Sequence, residues 1–204
     1  MTAPATTRSG RRRALSKGDR REHAILDTAR DLLQTRSLAS LTIDELAAGA
    51  GISRSSFYFY FDGKSAVLAA LLEDLASELA AENSPWLDGT GPDEPALRAA
   101  ISHSVELWRT SGGLLRQALS SGAPEDPLTV WRATVVGRGI RRLTARIERD
   151  RAAGLSAGPP SPESLAWMTS AMRNQTLAER AGTMPDAELV DDLVHATLRL
   201  LYGH

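Results

Sequence analysis

The sequence predicts an all-α protein of about nine helices, three short ones followed by longer ones. Three observations carry the prediction. Apolar residues recur at the i, i+3, i+4, i+7 spacing of a buried helical stripe through most of the 204 residues. Alternating β-branched runs are nearly absent. Clusters of glycine and proline separate the periodic stretches.

Residues 1–18, MTAPATTRSGRRRALSKG, hold five basic residues and no acidic one. Low hydrophobicity with Gly, Ser, Thr and Pro predicts an arm that is disordered in the free protein. Its arginines resemble an export signal only superficially, because no apolar segment follows them. The arm is either a solvated tail or a strand of charge lying along phosphates or in a minor groove.

A first helix over about 19–34 buries Ile25, Ala29, Leu32 and Leu33. A second starts at Thr42, which forms a T-x-x-E capping box with Glu45, and breaks at Gly49 and Gly51. A third starts at the N-cap Ser53 and runs through RSSFYFYF. After Asp62 and Gly63 a long helix covers about 64–82, and Pro85 to Pro95 form a connection. Further helices are expected at roughly 94–110, 113–121 and 125–153. Gly154–Pro162 is a loop, and two last helices cover about 162–181 and 185–202.

Composition excludes several classes of function. No apolar run approaches the ~18 residues of a membrane span. There is no cysteine, which rules out disulfide frameworks, thiolate nucleophiles and cysteine zinc sites and fits a cytoplasmic protein. His23, His103, His195 and His204 are far apart and lack ligand spacing, so no metal site and no cofactor are expected. No nucleophile elbow, phosphate loop or catalytic dyad is present, so no enzyme is expected. The charge is uneven. Eleven basic residues against seven acidic ones up to Lys64 give +4, leaving −5 for the rest of a chain whose total is −1. A basic front suits a polyanion partner.

The stretch LTIDELAAGAGISRSSFYFYF has the build of a helix-turn-helix. Leu46 and Ala47 face the core, Ala50 and Gly51 allow the tight turn, Ile52 plugs the junction, and Phe57 and Phe61 bury the inner face. Five consecutive aromatics cannot all face inward. Arg54, Ser55, Ser56 and Tyr58 remain outside, at the end that enters a major groove. Arg54 suits guanine O6 and N7, unless it is only a surface charge. Tyr58, Tyr60 and Lys64 suit phosphates, and the helix ends capped by Thr42 and Ser53 complete the expected DNA-binding set.

LTIDELAAGAGISRSSFYFYFDGKSAVL resembles the DNA-binding signature of the TetR family of one-component repressors, over about 19–72. Gly63 stands where Ser is commoner and Ser65 where Glu is usual, both at the cap of the following helix. GISRSSFYFYF, IERDRAAG and VDDLVHATLRLLYG are also similar to the actinobacterial ethionamide-resistance-type branch. The resemblance implies a helix-turn-helix DNA-binding domain over 19–64 and a ligand-binding and dimerisation domain over 65–204. It further implies a homodimer that binds a pseudo-palindromic double-stranded operator and is released by a small, largely apolar effector. An effector cavity is expected between about 94 and 181. Its candidate walls are Trp108, Trp131, Trp167, Met168, Ala171 and Asn174, each with core packing as the alternative. The dimer interface is expected on the last two helices, through Leu189, Leu193, Val194, Thr197 and Leu201, with burial in the same chain as the alternative. A rival class is an all-α enzyme or carrier with a vestigial front domain, and the sign of regulation is open.

Overall fold

The computed structural model describes residues 17–120 and 127–203. It is all-helical, with no strand among the described residues. The elements are α1 (Lys17–Leu33), a 3-10 turn (Leu38–Ser40), α2 (Ile43–Gly49), α3 (Arg54–Phe57), α4 (Lys64–Asp88), α5 (Glu94–Ser120), α6 (Pro127–Ala152), α7 (Pro162–Arg180) and α8 (Asp186–Tyr202). The arm expected over 1–18 lies outside the described residues as far as residue 16, and Lys17 and Gly18 already belong to α1.

The described residues thus hold eight α-helices, not nine, and the differences have physical causes. The two helices expected at 94–110 and 113–121 are one helix, α5, running through Ser111-Gly112-Gly113. Each glycine costs a helix interior about 1 kcal/mol relative to alanine. Close packing against α1 opposes that cost, since a Cβ on Gly113 would lie 2.3 Å from the Leu33 carbonyl oxygen and 2.3 Å from Gln34 Cα. α4 likewise continues through Pro85 to Asp88 instead of ending near Glu82. An internal proline costs about 3 kcal/mol. Beyond it Trp86 and Leu87 are buried, each worth about 1.5–3 kcal/mol, so extending the helix wins. The Asn83 amide and Ser84 hydroxyl donate to the Leu79 and Ala80 carbonyls at 2.8 and 2.6 Å just before the proline.

α5 is the axis of the molecule. Its 27 residues reach about 40 Å at 1.5 Å per residue, and it packs against α1, α4, α6, α7 and α8. At one end it meets the short N-terminal helices. At the other, a buried polar cluster ties α6 to the last turn of α8 and to the α4–α5 connection. Asp150 accepts from the Gly91 amide at 2.8 Å and from the Tyr202 hydroxyl at 2.6 Å. Arg146, fully buried, lies 3.6 Å from that carboxylate and 4.4 Å over the Trp86 ring. Burial pushes the Tyr202 phenol up to about 12, and its bond to Asp150 adds to the shift.

The residues expected to form the dimer interface are part of this core. Leu189, Leu193, Val194, Thr197 and Leu201 are all at most 4 % exposed, packed against other helices of the same chain. The wide apolar face of α8 is consumed by α5 and α7. That interface assignment is therefore corrected.

Candidate nucleic-acid interface and effector cavity

The helix-turn-helix is built by local bonds that its sequence encodes. Thr42 caps α2: its hydroxyl accepts from the Glu45 amide at 3.2 Å, and the Thr42 amide donates to the Glu45 carboxylate at 2.8 Å. Arg36 donates to the same carboxylate at 2.7 Å. Arg36 first, and Thr42 after it, hold the Glu45 carboxyl down at about 2. The turn closes through the Ile52 amide, which donates to the Ala47 carbonyl at 2.9 Å. Gly51 takes φ +65°, the left-handed region where a Cβ would be strained.

α3 is only four residues long, with a turn over 58–60, not a helix through the whole of RSSFYFYF. Ser53 caps it, its hydroxyl accepting from the Ser56 amide at 3.1 Å. Phe57 is fully buried and Phe61 nearly so, their ring centroids 6.1 Å apart. This anchoring leaves Arg54, Ser55 and Tyr58 exposed and Ser56 and Tyr60 half-buried. Phe59, 85 % exposed, is the most outward large apolar side chain, and sequence reasoning passed over it. Its signal was the alternation of FYFYF itself, since Phe57 and Phe61 fix the inner face and Phe59 lies between them.

Two expected phosphate contacts are already committed. The Lys64 ammonium donates to the Leu38, Ala39 and Leu41 carbonyl oxygens at 3.2, 3.2 and 2.6 Å. An ammonium has three protons, and all three are used to tie the 3-10 turn to α4. The phosphate reading of Lys64 is thus corrected to a structural one. The Thr42 hydroxyl and amide are likewise spent on Glu45. Arg54 forms a 2.7 Å ion pair with Asp44 across the two helices, both partners more than half exposed. Gly63, where the sequence departs from the usual Ser, begins α4 without a side-chain cap.

A cavity of about 180 Å³ lies between α4, α5, α6 and α7. Its walls are largely apolar, with Leu79, Trp108, Leu115, Trp131 and Leu143 among them, and Asn83, Ser104, Ser170 and Asn174 provide polar groups. Trp131 is fixed by its indole N–H, which donates to the Leu72 carbonyl at 2.7 Å. Of the six residues expected to line a pocket, Trp108, Trp131 and Asn174 do. Met168 packs on the core, while Trp167 and Ala171 are exposed on the outside. The face of α7 that looks into the cavity is Ser170, Arg173, Asn174 and Leu177, about a quarter-turn from the one expected.

The same helix that walls the cavity grips α1. The Gln117 amide donates to the Leu33 and Arg36 carbonyls at 3.2 and 2.9 Å, and the Gly113 amide donates to the Gln34 side-chain oxygen at 3.0 Å. The Gln34 amide in turn donates to the Thr110 carbonyl.

A sequence model of the bacterial regulatory proteins of the tetR family matches residues 25–71, the span of this helix-turn-helix. The HTH-type transcriptional regulator EthR of Mycobacterium tuberculosis is 35 % identical over 217 aligned positions, covering 100 % of this chain and 99 % of EthR. The chain belongs to the TetR family. Solved structures share the fold of this TetR-family regulator at lower identity. FadR from Bacillus subtilis in complex with stearoyl-CoA superposes with a TM-score of 0.69 at 14 % identity, covering 89 % of this chain and 98 % of FadR. AibR in complex with isovaleryl coenzyme A and operator DNA superposes with a TM-score of 0.66 at 18 % identity, covering 89 % and 98 %. This TetR-family protein is therefore a DNA-binding transcriptional regulator with an N-terminal helix-turn-helix domain and a C-terminal helical domain. No described helix is long and apolar enough to cross a membrane.

Proposed function

We propose that this regulator is a repressor that binds a pseudo-palindromic operator as a homodimer and leaves it when a small ligand fills the C-terminal cavity. The observation that carries the reading is the double duty of α5. Ser104, Trp108 and Leu115 on that helix line the cavity, while Thr110, Gly113 and Gln117 hold α1. A ligand that displaces α5 moves the DNA-reading head with it, and by linkage operator binding weakens ligand binding to the same degree. AibR, solved in complex with isovaleryl coenzyme A and operator DNA, supports a regulator of this fold taking both a small ligand and an operator.

At the DNA, Arg54 exchanges Asp44 for a guanine edge, and Phe59 meets thymine methyl groups. Tyr58, Ser53, Ser55, Ser56 and Tyr60 fix the register on phosphates. Dimerisation uses the outer faces of α7 and α8, where Trp167 is 60 % and Leu200 40 % exposed. Two such helices from each subunit make a four-helix interface. It sets the reading heads about one helical turn apart, roughly 34–36 Å.

Selection of duplexes from a random pool tests the reading, followed by anisotropy titrations at several salt concentrations. An enriched inverted repeat bound by dimers, with affinity falling steeply as salt rises, is expected. A pool without enrichment, or binding by monomers alone, overturns it.

A further inference from the structure

The cavity carries an electrostatic signature that an apolar effector does not explain. Among the described residues four arginines line it, Arg132, Arg138, Arg142 and Arg173, and no aspartate or glutamate does. Three of the four are accounted for. Arg132 donates to the Leu119 carbonyl. Arg142 donates to Asp88 at 2.9 Å and to the Ser84 hydroxyl at 3.0 Å. Arg138 is exposed and solvated.

Arg173 is different. It has no hydrogen bond or ion pair to any described residue, and it sits on the α7 face that looks into the cavity, flanked by Ser170 and Asn174. Its side chain keeps some accessible surface, yet burial pulls its pKa down to about 10 with no carboxylate to oppose the shift. The two observations agree when the surface it retains is the cavity wall and not bulk water. A charge withdrawn from water without a partner is costly, and folded proteins pair such groups. No described residue pairs this one.

We propose that the cavity takes an amphipathic anion, an apolar body ending in one carboxylate or phosphate, and that Arg173 binds the charged end. A planar guanidinium grips either oxyanion with two parallel N–H bonds, and Ser170 and Asn174 supply further donors beside it. Trp108, Trp131, Leu79 and Leu115 enclose the apolar body. At ~10–15 Å³ per enclosed water-sized sphere, the 180 Å³ holds on the order of a dozen non-hydrogen atoms. That suits a medium-chain or aryl acid, whereas the nucleotide of a coenzyme A thioester would have to remain outside. The inference rests on reading this cavity as the effector site.

Isothermal titration of the full-length protein with decanoate, monodecyl phosphate and decan-1-ol tests it, on wild type and on Arg173→Met, a substitution that keeps the apolar stem and removes the charge. At least one anion is expected to bind wild type tenfold or more tightly than decan-1-ol, and the tighter of the two identifies the headgroup. In R173M that preference disappears while decan-1-ol binds as before. The melting temperature of unliganded R173M rises, because an unpaired enclosed charge is gone. Equal binding of decan-1-ol and both anions, a preference that survives R173M, or no binding by any of the three overturns the proposal. Release of a selected operator duplex is read in parallel. Arg173-dependent anion binding without release leaves the anion site standing and sinks the effector reading. Sequence-specific DNA binding with no anion binding does the reverse.

Discussion

Gly113→Ala is the sharpest perturbation of the junction between cavity and DNA-reading head. Its new Cβ would fall 2.3 Å from the Leu33 carbonyl oxygen, 2.3 Å from Gln34 Cα and 2.5 Å from the Gln34 carbonyl oxygen. Carbon contacts relax near 3.5–4.0 Å, so backbone must move by roughly 1 Å, and overpacking of this kind costs about 1–3 kcal/mol. The neighbouring Gly112→Ala is an internal control. Its Cβ meets only the end of the Arg116 side chain, at 3.1 Å, which can swing away. Both variants gain about 1 kcal/mol of helix propensity, so the difference between them isolates the clash. At about 2–4 °C per kcal/mol for a chain of this size, G113A melts some 2–12 °C below G112A by differential scanning calorimetry. Operator affinity falls in G113A by about 5–150-fold, the equivalent of 1–3 kcal/mol, because the DNA-reading head is pushed off its seat on α5. Decanoate affinity in the cavity stays at the wild-type value. Coincident melting curves for the two variants, or equal operator affinity, would refute the coupling argument.

Four further outcomes follow from the geometry. Lys64→Met removes charge-assisted bonds to three carbonyls and should cost about 1.5–3 kcal/mol of stability, while the slope of log affinity against log salt stays as in wild type; a slope reduced by one would restore a phosphate role. Asp44→Asn frees Arg54 from an exposed pair worth about 0–1 kcal/mol, so affinity for the selected duplex rises, by up to about fivefold, and a drop in gel-shift affinity contradicts this. The Glu45 carboxyl sits at about 2, below its ordinary 4.5, so its contribution to the α2 cap is complete above pH 4.5 and lost as the pH falls towards 2; carboxyl carbon NMR should place its midpoint near 2 in wild type and higher in Arg36→Met. Asp150→Asn leaves Arg146 buried beside a neutral partner and should cost about 3–5 kcal/mol by denaturant unfolding, with a loss under 1 kcal/mol telling against a working ion pair.

What the sequence made legible was local. The Thr42–Glu45 cap, the Ser53 cap, the left-handed Gly51 and the inward pair Phe57 and Phe61 are all fixed within a few residues of chain. The outward placement of Arg54, Ser55 and Tyr58 followed from them. What needed distant partners was misread. The apolar stripe of α8 declares that it must be covered but not by what, and α5 covers it before any second subunit can. The glycine pair in α5 reads as a break until α1 is seen lying against it. Lys64 reads as a surface cation until the 3-10 turn and Leu41 after it present three carbonyls to it. Arg173 was invisible for a related reason. A lone arginine between Met172 and Asn174 looks like a solvated charge, and only its spacing from Ser170 and Leu177 hints that it turns inward.

Binding of wild type and Arg54→Ala to a selected duplex and to its scrambled counterpart, at one fixed salt concentration, tests most directly whether α3 reads bases. Wild type should prefer the selected duplex by about 10³-fold or more. Loss of a bidentate arginine contact, worth about 1–3 kcal/mol, should shrink that ratio about 5–150-fold while the scrambled duplex binds nearly as before. A ratio near one in wild type, or one that Arg54→Ala leaves untouched, would contradict the account.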